Sequence, residues 1–155
     1  MTQPANTPLI VTVRRAVPDD RPYVLASWAE EYKHGPKWRD IPWALYKREV
    51  VPELEAVLDR ADTRVMVAVS EQAPDILGWI ALSRLYRTPT VHWVHTRHSI
   101  KGGPKLRKRG VMTALISAAE LGPRWVYTHR GPYPKERGVG KRETIDTSVV
   151  RMLAR

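Results

Sequence analysis

Two stretches of the chain hold side chains that could do chemistry. Between Thr90 and Arg97, His92 and His95 sit three apart in a run rich in β-branched and aromatic residues. Histidine changes charge close to neutral pH, so it suits a general acid or base. A little further on, Arg107, Lys108 and Arg109 precede Gly110, Val111 and Met112. A helix starting there would turn unpaired backbone N–H groups and a partial positive charge toward an anion, with three cations beside it. Gly110 would let a phosphate approach the backbone with no side chain in the way. Tyr127, His129 and Tyr133 lie at or beyond the last apolar stretch and add further proton-handling groups.

Other chemistries are excluded by type or spacing. The chain has no cysteine, which rules out a disulfide framework, thiolate zinc sites and a cysteine nucleophile. Neither G-x-x-x-x-G-K-[ST] nor G-x-G-x-x-G occurs, so the basic loop is not a P-loop or a dinucleotide fingerprint. No H-E-x-x-H pattern is present, and His92, His95 and His98 at intervals of three would alternate across a strand, so no metal is expected. Ser83, Ser99 and Ser117 lack a nucleophile elbow.

Charge is unevenly placed along the 155 residues. The formal charge is +10, yet residues 1–63 carry nine basic and ten acidic side chains while residues 64–155 carry seventeen and six, a net +11. A basic half favours an anionic partner such as a phosphorylated cofactor or nucleic acid. No apolar run approaches the roughly 20 residues that span a bilayer, and the start is polar, so a cytoplasmic protein with no membrane association is expected.

The elements that must position these groups follow from periodicity. Leu9 to Arg14 reads as a short strand; Pro18-Asp19-Asp20 then leads into a helix with Pro22 in its first turn and Val24, Leu25, Trp28 and Tyr32 on one face, ending at His34-Gly35-Pro36. Ile41, Leu45, Val51, Leu54, Val57 and Leu58 mark a second helix, kinked or restarted at Pro52. Arg64 to Ser70 and Ile76 to Leu82 form a hairpin about Gln72 to Asp75, and Thr90 to Arg97 gives a third neighbouring strand. In that strand Val91, Trp93 and His95 should face one way and His92, Val94 and Thr96 the other. Val111, Met112, Leu115, Ile116 and Ala119 form a third helical stripe ending at Leu121-Gly122-Pro123, followed by a short strand, Trp125 to Thr128. A leader over 1–8, one domain over 9–130, and a basic loop and tail over 131–155 packing on that domain complete the expected organisation.

Three segments resemble the GNAT N-acyltransferases. Val13-Arg14-Arg15-Ala16-Val17-Pro18-Asp19-Asp20 looks like that family's opening strand and turn; Ile76-Leu77-Gly78-Trp79-Ile80-Ala81 looks like its third strand; Arg107-Lys108-Arg109-Gly110-Val111-Met112 resembles its coenzyme A signature, [RQ]-x-x-G-x-[GA], with Met112 at the last position. The match in element order covers residues 10–130.

The resemblance implies an α/β fold with a mixed, mostly antiparallel sheet flanked by helices and a shortened C-terminal part. It implies acetyl-coenzyme A as acyl donor, its pantetheine arm paired with the backbone of Val94, His95 and Thr96 and its pyrophosphate held by Arg107, Lys108, Arg109, Gly110, Val111 and Met112. His95 or His92 would act as base, and Tyr127 or Tyr133 as acid. Trp38 and Trp43, between the first two helices, would line the acceptor site together with His129; Trp79, Trp93 and Trp125 belong to the core in a chain without phenylalanine. Small, short-tailed chains of this kind resemble phage-encoded members, including a group that modifies DNA bases, so the acceptor could be nucleic-acid-linked. Two other readings are a non-catalytic basic nucleic-acid-binding protein and a family fold that has lost catalysis and serves as an interaction module. The sequence leaves the choice between monomer and dimer open.

Overall fold

The computed structural model describes residues 8–85, 87–100, 105–106 and 108–128. Strand β1 (Thr12–Arg15) is followed by a 3-10 turn, Pro18–Asp20, and helix α1 (Arg21–Lys33). Then come α2 (Trp43–Asp59), β2 (Arg64–Ser70), β3 (Ala73–Leu85), β4 (Thr88–Thr96), α3 (Val111–Ala119) and β5 (Val126–Tyr127). The sheet order is β1-β2-β3-β4-β5, antiparallel from β1 to β4, with β5 parallel to β4. The tail expected beyond residue 130 lies outside the described residues. Among the described residues no helix is long and apolar enough to cross a membrane.

Local chemistry explains the entry into α1. Asp20 is the last residue before the helix, and its carboxylate Oδ2 accepts from the Val17 N–H at 2.8 Å and from Arg14 Nη1 at 2.7 Å. Pro22 stands in the first turn, where its missing N–H costs nothing. The expected strand from Leu9 starts later, at Thr12, because only Thr12 to Arg15 find partners on β2. Ile10 donates its N–H to the Gln72 side chain instead.

Helix α2 buries Tyr46, Val50, Leu54 and Val57, spaced four, four and three, against α1 and the sheet. It runs through Pro52 as one helix from Trp43, so the restart expected there does not occur, and Ile41 lies in the turn before it. Packing holds the helix across a position that can donate no backbone bond. The Tyr46 hydroxyl donates to the Ala29 carbonyl at 2.6 Å and ties the two helices together.

The sheet is covered on both faces. One side carries α1 and α2 over Val67, Trp79, Ala81 and Trp93; the other carries α3 over Ala68, Ile80, Leu82 and Val91. This is why β2 and β3 read as nearly continuous apolar runs. The alternation expected along β4 is broken. Ala81 pairs with Trp93 and Leu82 with Val91, so His92 is the extra residue of a β-bulge. Val91 therefore joins Val94 on the α3 side, while Trp93 packs with Trp79 under the helices.

Gly78 sets how closely α3 approaches. A Cβ there would fall 2.4 Å from the His95 carbonyl oxygen, 3.0 Å from Val111 Cγ1 and 3.3 Å from Leu115 Cδ1. Gly78→Ala should thus lower stability by about 1–3 kcal/mol, measured by urea unfolding, through overpacking.

Asp20 supplies a pH test. Its hydrogen bonds from Arg14 hold the carboxyl below the usual carboxylate range. A lowered folded-state pKa contributes stability that is fully present above the unfolded value, about 3.9, and is lost as pH falls through the folded one. Asp20→Asn should remove that acid-side loss, flattening stability against pH below about 4.

Candidate functional site

The pairing of β4 with β5 is short. Thr90 faces Val126 and Val91 faces Tyr127, and Thr128 adds an N–H to the Val91 carbonyl at 3.0 Å. Beyond these, among the described residues, Val94 to Thr96 have no strand partner on the side away from β3. Within the described residues the pairing with β5 covers only the first part of β4, and the edge at Val94 to Thr96 is paired on the β3 side alone. The end itself is pinned, since Arg97 donates its N–H to Leu77 at 2.7 Å and its Nε to the Ile76 carbonyl at 2.8 Å. Thr96 Oγ1 is buried with no hydrogen-bond partner among the described residues.

The start of α3 lies beside this edge. Val111 is buried in its first turn, and the Gly78 contacts place Val111 and the His95 carbonyl within reach of one point on β3. Gly110 precedes the helix with φ 81°, a left-handed backbone that glycine adopts freely, and a Cβ there would meet nothing within 4 Å. The helix start is thus open to solvent. Leu106, fully buried, anchors the approaching loop, with its N–H to the His98 carbonyl at 3.0 Å and its own carbonyl accepting from Arg109 at 3.1 Å. Lys108 is exposed and Arg109 half-buried, and both immediately precede Gly110 at the electropositive N-terminal end of the helix. Met112 is half-buried in the first turn and does not cover Gly110. Arg107 lies outside the described residues.

His95 forms the most connected polar array of the molecule's described part. Its Nδ1 lies 2.6 Å from Glu31 Oε1, and its Nε2 lies 2.8 Å from the Tyr23 hydroxyl. The second Glu31 oxygen accepts from Trp93 Nε1 at 2.7 Å. A carboxylate can only accept, so in the neutral imidazole Nδ1 carries the proton and Nε2 receives the Tyr23 O–H. Burial pushes the Tyr23 phenol above its ordinary value; Arg97, whose guanidinium stands 4.5 Å from the ring centre, works against this, and Glu31, Asp75 and Glu30 add to it.

His92 is placed differently. It is 1% exposed, with Nε2 2.6 Å from Ser83 Oγ and Nδ1 3.2 Å from Thr128 Oγ1, so it joins β3, β4 and the end of β5. Tyr127 packs beside Trp125 on the α3 side, across the sheet from His95. Trp38 reaches β4 through rings: it meets Tyr32 edge-on at 6.3 Å, and Tyr32 meets Trp93 at 5.8 Å. Trp43 does not. It is 43% exposed and lines an open groove with Leu25, Ala29, Lys47 and Val51, away from the sheet. His129 and Tyr133 lie outside the described residues. Among the described residues no group of three or more His, Asp or Glu could hold a metal ion.

Sequence reasoning missed Tyr23 and Glu31. With Ser27 they form a polar stripe at positions i, i+4 and i+8 of α1, beside the apolar Val24 and Trp28. Polar residues at that spacing on a helix that must pack on a sheet were the available signal. Removing one partner of buried His92 isolates its role: Ser83→Ala leaves a ring nitrogen short of a bond and should cost about 1–3 kcal/mol in thermal or urea unfolding.

No family model and no curated protein matches the chain. Among solved structures it is similar to a Pyrococcus furiosus protein named only provisionally as an acetyl transferase. The TM-score is 0.65 at 17% identity, covering 88% of this chain and 97% of that one. It is also similar to the GCN5-related glucosamine N-acetyltransferase region of a fungal multi-domain GH3 β-N-acetylglucosaminidase. There the TM-score is 0.50 at 21% identity, over 76% of this chain and 12% of that one. The described residues therefore adopt the GNAT fold, a mixed five-stranded sheet with α1 and α2 on one face and α3 on the other.

Proposed function

We propose that the chain is an acyl-coenzyme A dependent N-acyltransferase, with acetyl-coenzyme A as donor and an amine as acceptor. One observation carries this reading: an exposed, glycine-led helix start stands near Val94 to Thr96, which among the described residues are paired only with β3. A pyrophosphate suits the first, because the helix N-terminus is led by Gly110, which has no side chain, and follows directly on Lys108 and Arg109. An extended amide-bearing arm fits the second, because Val94, His95 and Thr96 can pair with it as a missing strand would. The thioester would then lie near the bulge. The protein's part in the reaction is to hold amine and carbonyl together and to supply polar groups where charge develops. His95 is the basic group of the array in which the proton from nitrogen would end up.

The acceptor in this reading is a nucleic-acid-linked amine, as in modification of a DNA base. Its support is charge: the net +11 of residues 64–155 exceeds what one coenzyme A requires. The same charge favours a second reading, a non-catalytic protein that binds nucleic acid through phosphates. The two separate cleanly. Acetyl-coenzyme A at a hundred times its dissociation constant should add about 2.7 kcal/mol to unfolding stability under the first, and nothing under the second. Gly110→Ala should keep the fold at a strain cost of about 1–2 kcal/mol. By calorimetry it should weaken acetyl-coenzyme A binding about tenfold or more, equivalent to about 1.4 kcal/mol, because the methyl group enters the phosphate space. A melting temperature indifferent to millimolar acetyl-coenzyme A, with tight DNA binding that falls steeply with salt, would decide for the second reading.

A further inference from the structure

Tyr23, His95 and Glu31 are linked in one line by two short hydrogen bonds, and two of the three come from a helix rather than from the sheet edge. A packing role alone explains this arrangement poorly. Trp93 needs one acceptor and takes one Glu31 oxygen. The other Glu31 oxygen is spent on fixing the imidazole, and the imidazole turns its basic nitrogen to a phenol whose own ring is only half-buried. In that order each group fixes the protonation of the next: the carboxylate keeps the proton on Nδ1, Nδ1–H leaves Nε2 basic, and Nε2 draws on the Tyr23 O–H.

We propose that Tyr23 is the group that meets the acceptor amine, with His95 storing the proton behind it and Glu31 serving as the positioning residue. This rests on the acyltransferase reading above. The amine nitrogen attacks the thioester carbonyl, the C–N bond forms, and the C–S bond breaks with its electron pair going to sulfur. The amine proton passes to Tyr23 Oη while the phenol's own proton moves to His95 Nε2, giving an imidazolium held against the Glu31 carboxylate. The thiolate takes up a proton from water, and the imidazolium returns its proton through Tyr23 to solvent. An amide and a free thiol result, and the array is reset.

The charged groups facing the array suit this cycle. Arg97 lies over the Tyr23 ring and steadies negative charge on the phenol oxygen as the proton passes. Glu31, Glu30 and Asp75 oppose a lasting phenolate, so the oxygen carries a proton at rest. Tyr23 then acts as a conduit, and the resting charge stays on Glu31.

The test measures thiol release from acetyl-coenzyme A with benzylamine and with single-stranded DNA as acceptor probes, and acetyl-coenzyme A affinity by calorimetry. Tyr23→Phe and Glu31→Gln should keep the fold and the acetyl-coenzyme A dissociation constant within about twofold. They should lower kcat about a hundredfold and at least about tenfold, respectively. His95→Ala should lose rate to a similar extent and regain it with added imidazole, provided Glu31 and Tyr23 are intact; a purely structural histidine would show no such rescue. If the wild type releases thiol and Tyr23→Phe and Glu31→Gln keep its kcat, the relay is overturned while the acyltransferase reading stands. Loss of rate in His95→Ala without imidazole rescue also overturns the relay. If the wild type itself releases no thiol, the acyltransferase reading fails and the relay fails with it.

Discussion

The close seating of α3 on the sheet is the constraint on which the rest depends. It exists because residue 78 has no side chain: the His95 carbonyl, Val111 and Leu115 all press on the space a methyl group would need. That contact brings the first turn of the helix to the end of β4, where Thr96 pairs with Gly78. A helix pushed outward by even one carbon atom would move the glycine-led helix start away from the end of β4. The proposed anion and arm sites form one site only while that distance is kept.

The bulge at His92 does the complementary work within the sheet. By adding one residue to β4 it turns Val91 toward α3 while keeping Trp93 and His95 toward α1. It also falls next to Val91 and Tyr127, the last strand pair described between β4 and β5. His92 closes the irregularity by bonding Ser83 on one side and Thr128 on the other, which satisfies a buried polar ring at the point where regular ladder bonds are lost.

The core chemistry and the site chemistry are also coupled through the aromatic residues. A chain with no phenylalanine fills its interior with tryptophan and tyrosine, and each brings a polar atom that burial obliges to find a partner. Trp79 donates to Ser27, Trp93 to Glu31, and Tyr46 to the Ala29 carbonyl. Two of these acceptors stand on the polar stripe of α1 that also holds Tyr23. Packing the tryptophans thus orients α1 so that Glu31 and Tyr23 bracket His95. The exceptions are Trp28 and Trp38, whose indole N–H groups are buried without a partner among the described residues.

The sequence by itself determined the elements, because their signals are local. Helical spacing fixed α1, α2 and α3; apolar runs fixed β2 and β3; and Gly110 after a basic run marked the helix start that would meet an anion. It also marked His92 and His95 together, since histidine in a strand beside that loop is unusual chemistry for an apolar run. It could not place Val91, because one inserted residue reverses every later side chain and a bulge leaves no mark in the alternation itself. Nor could it separate His92 from His95, or Trp38 from Trp43, whose roles depend on partners tens of residues away. Glu31 and His95 are 64 positions apart. Only the tertiary structure decided that pairing, because a hydrogen bond needs an approach that periodicity along a chain does not encode.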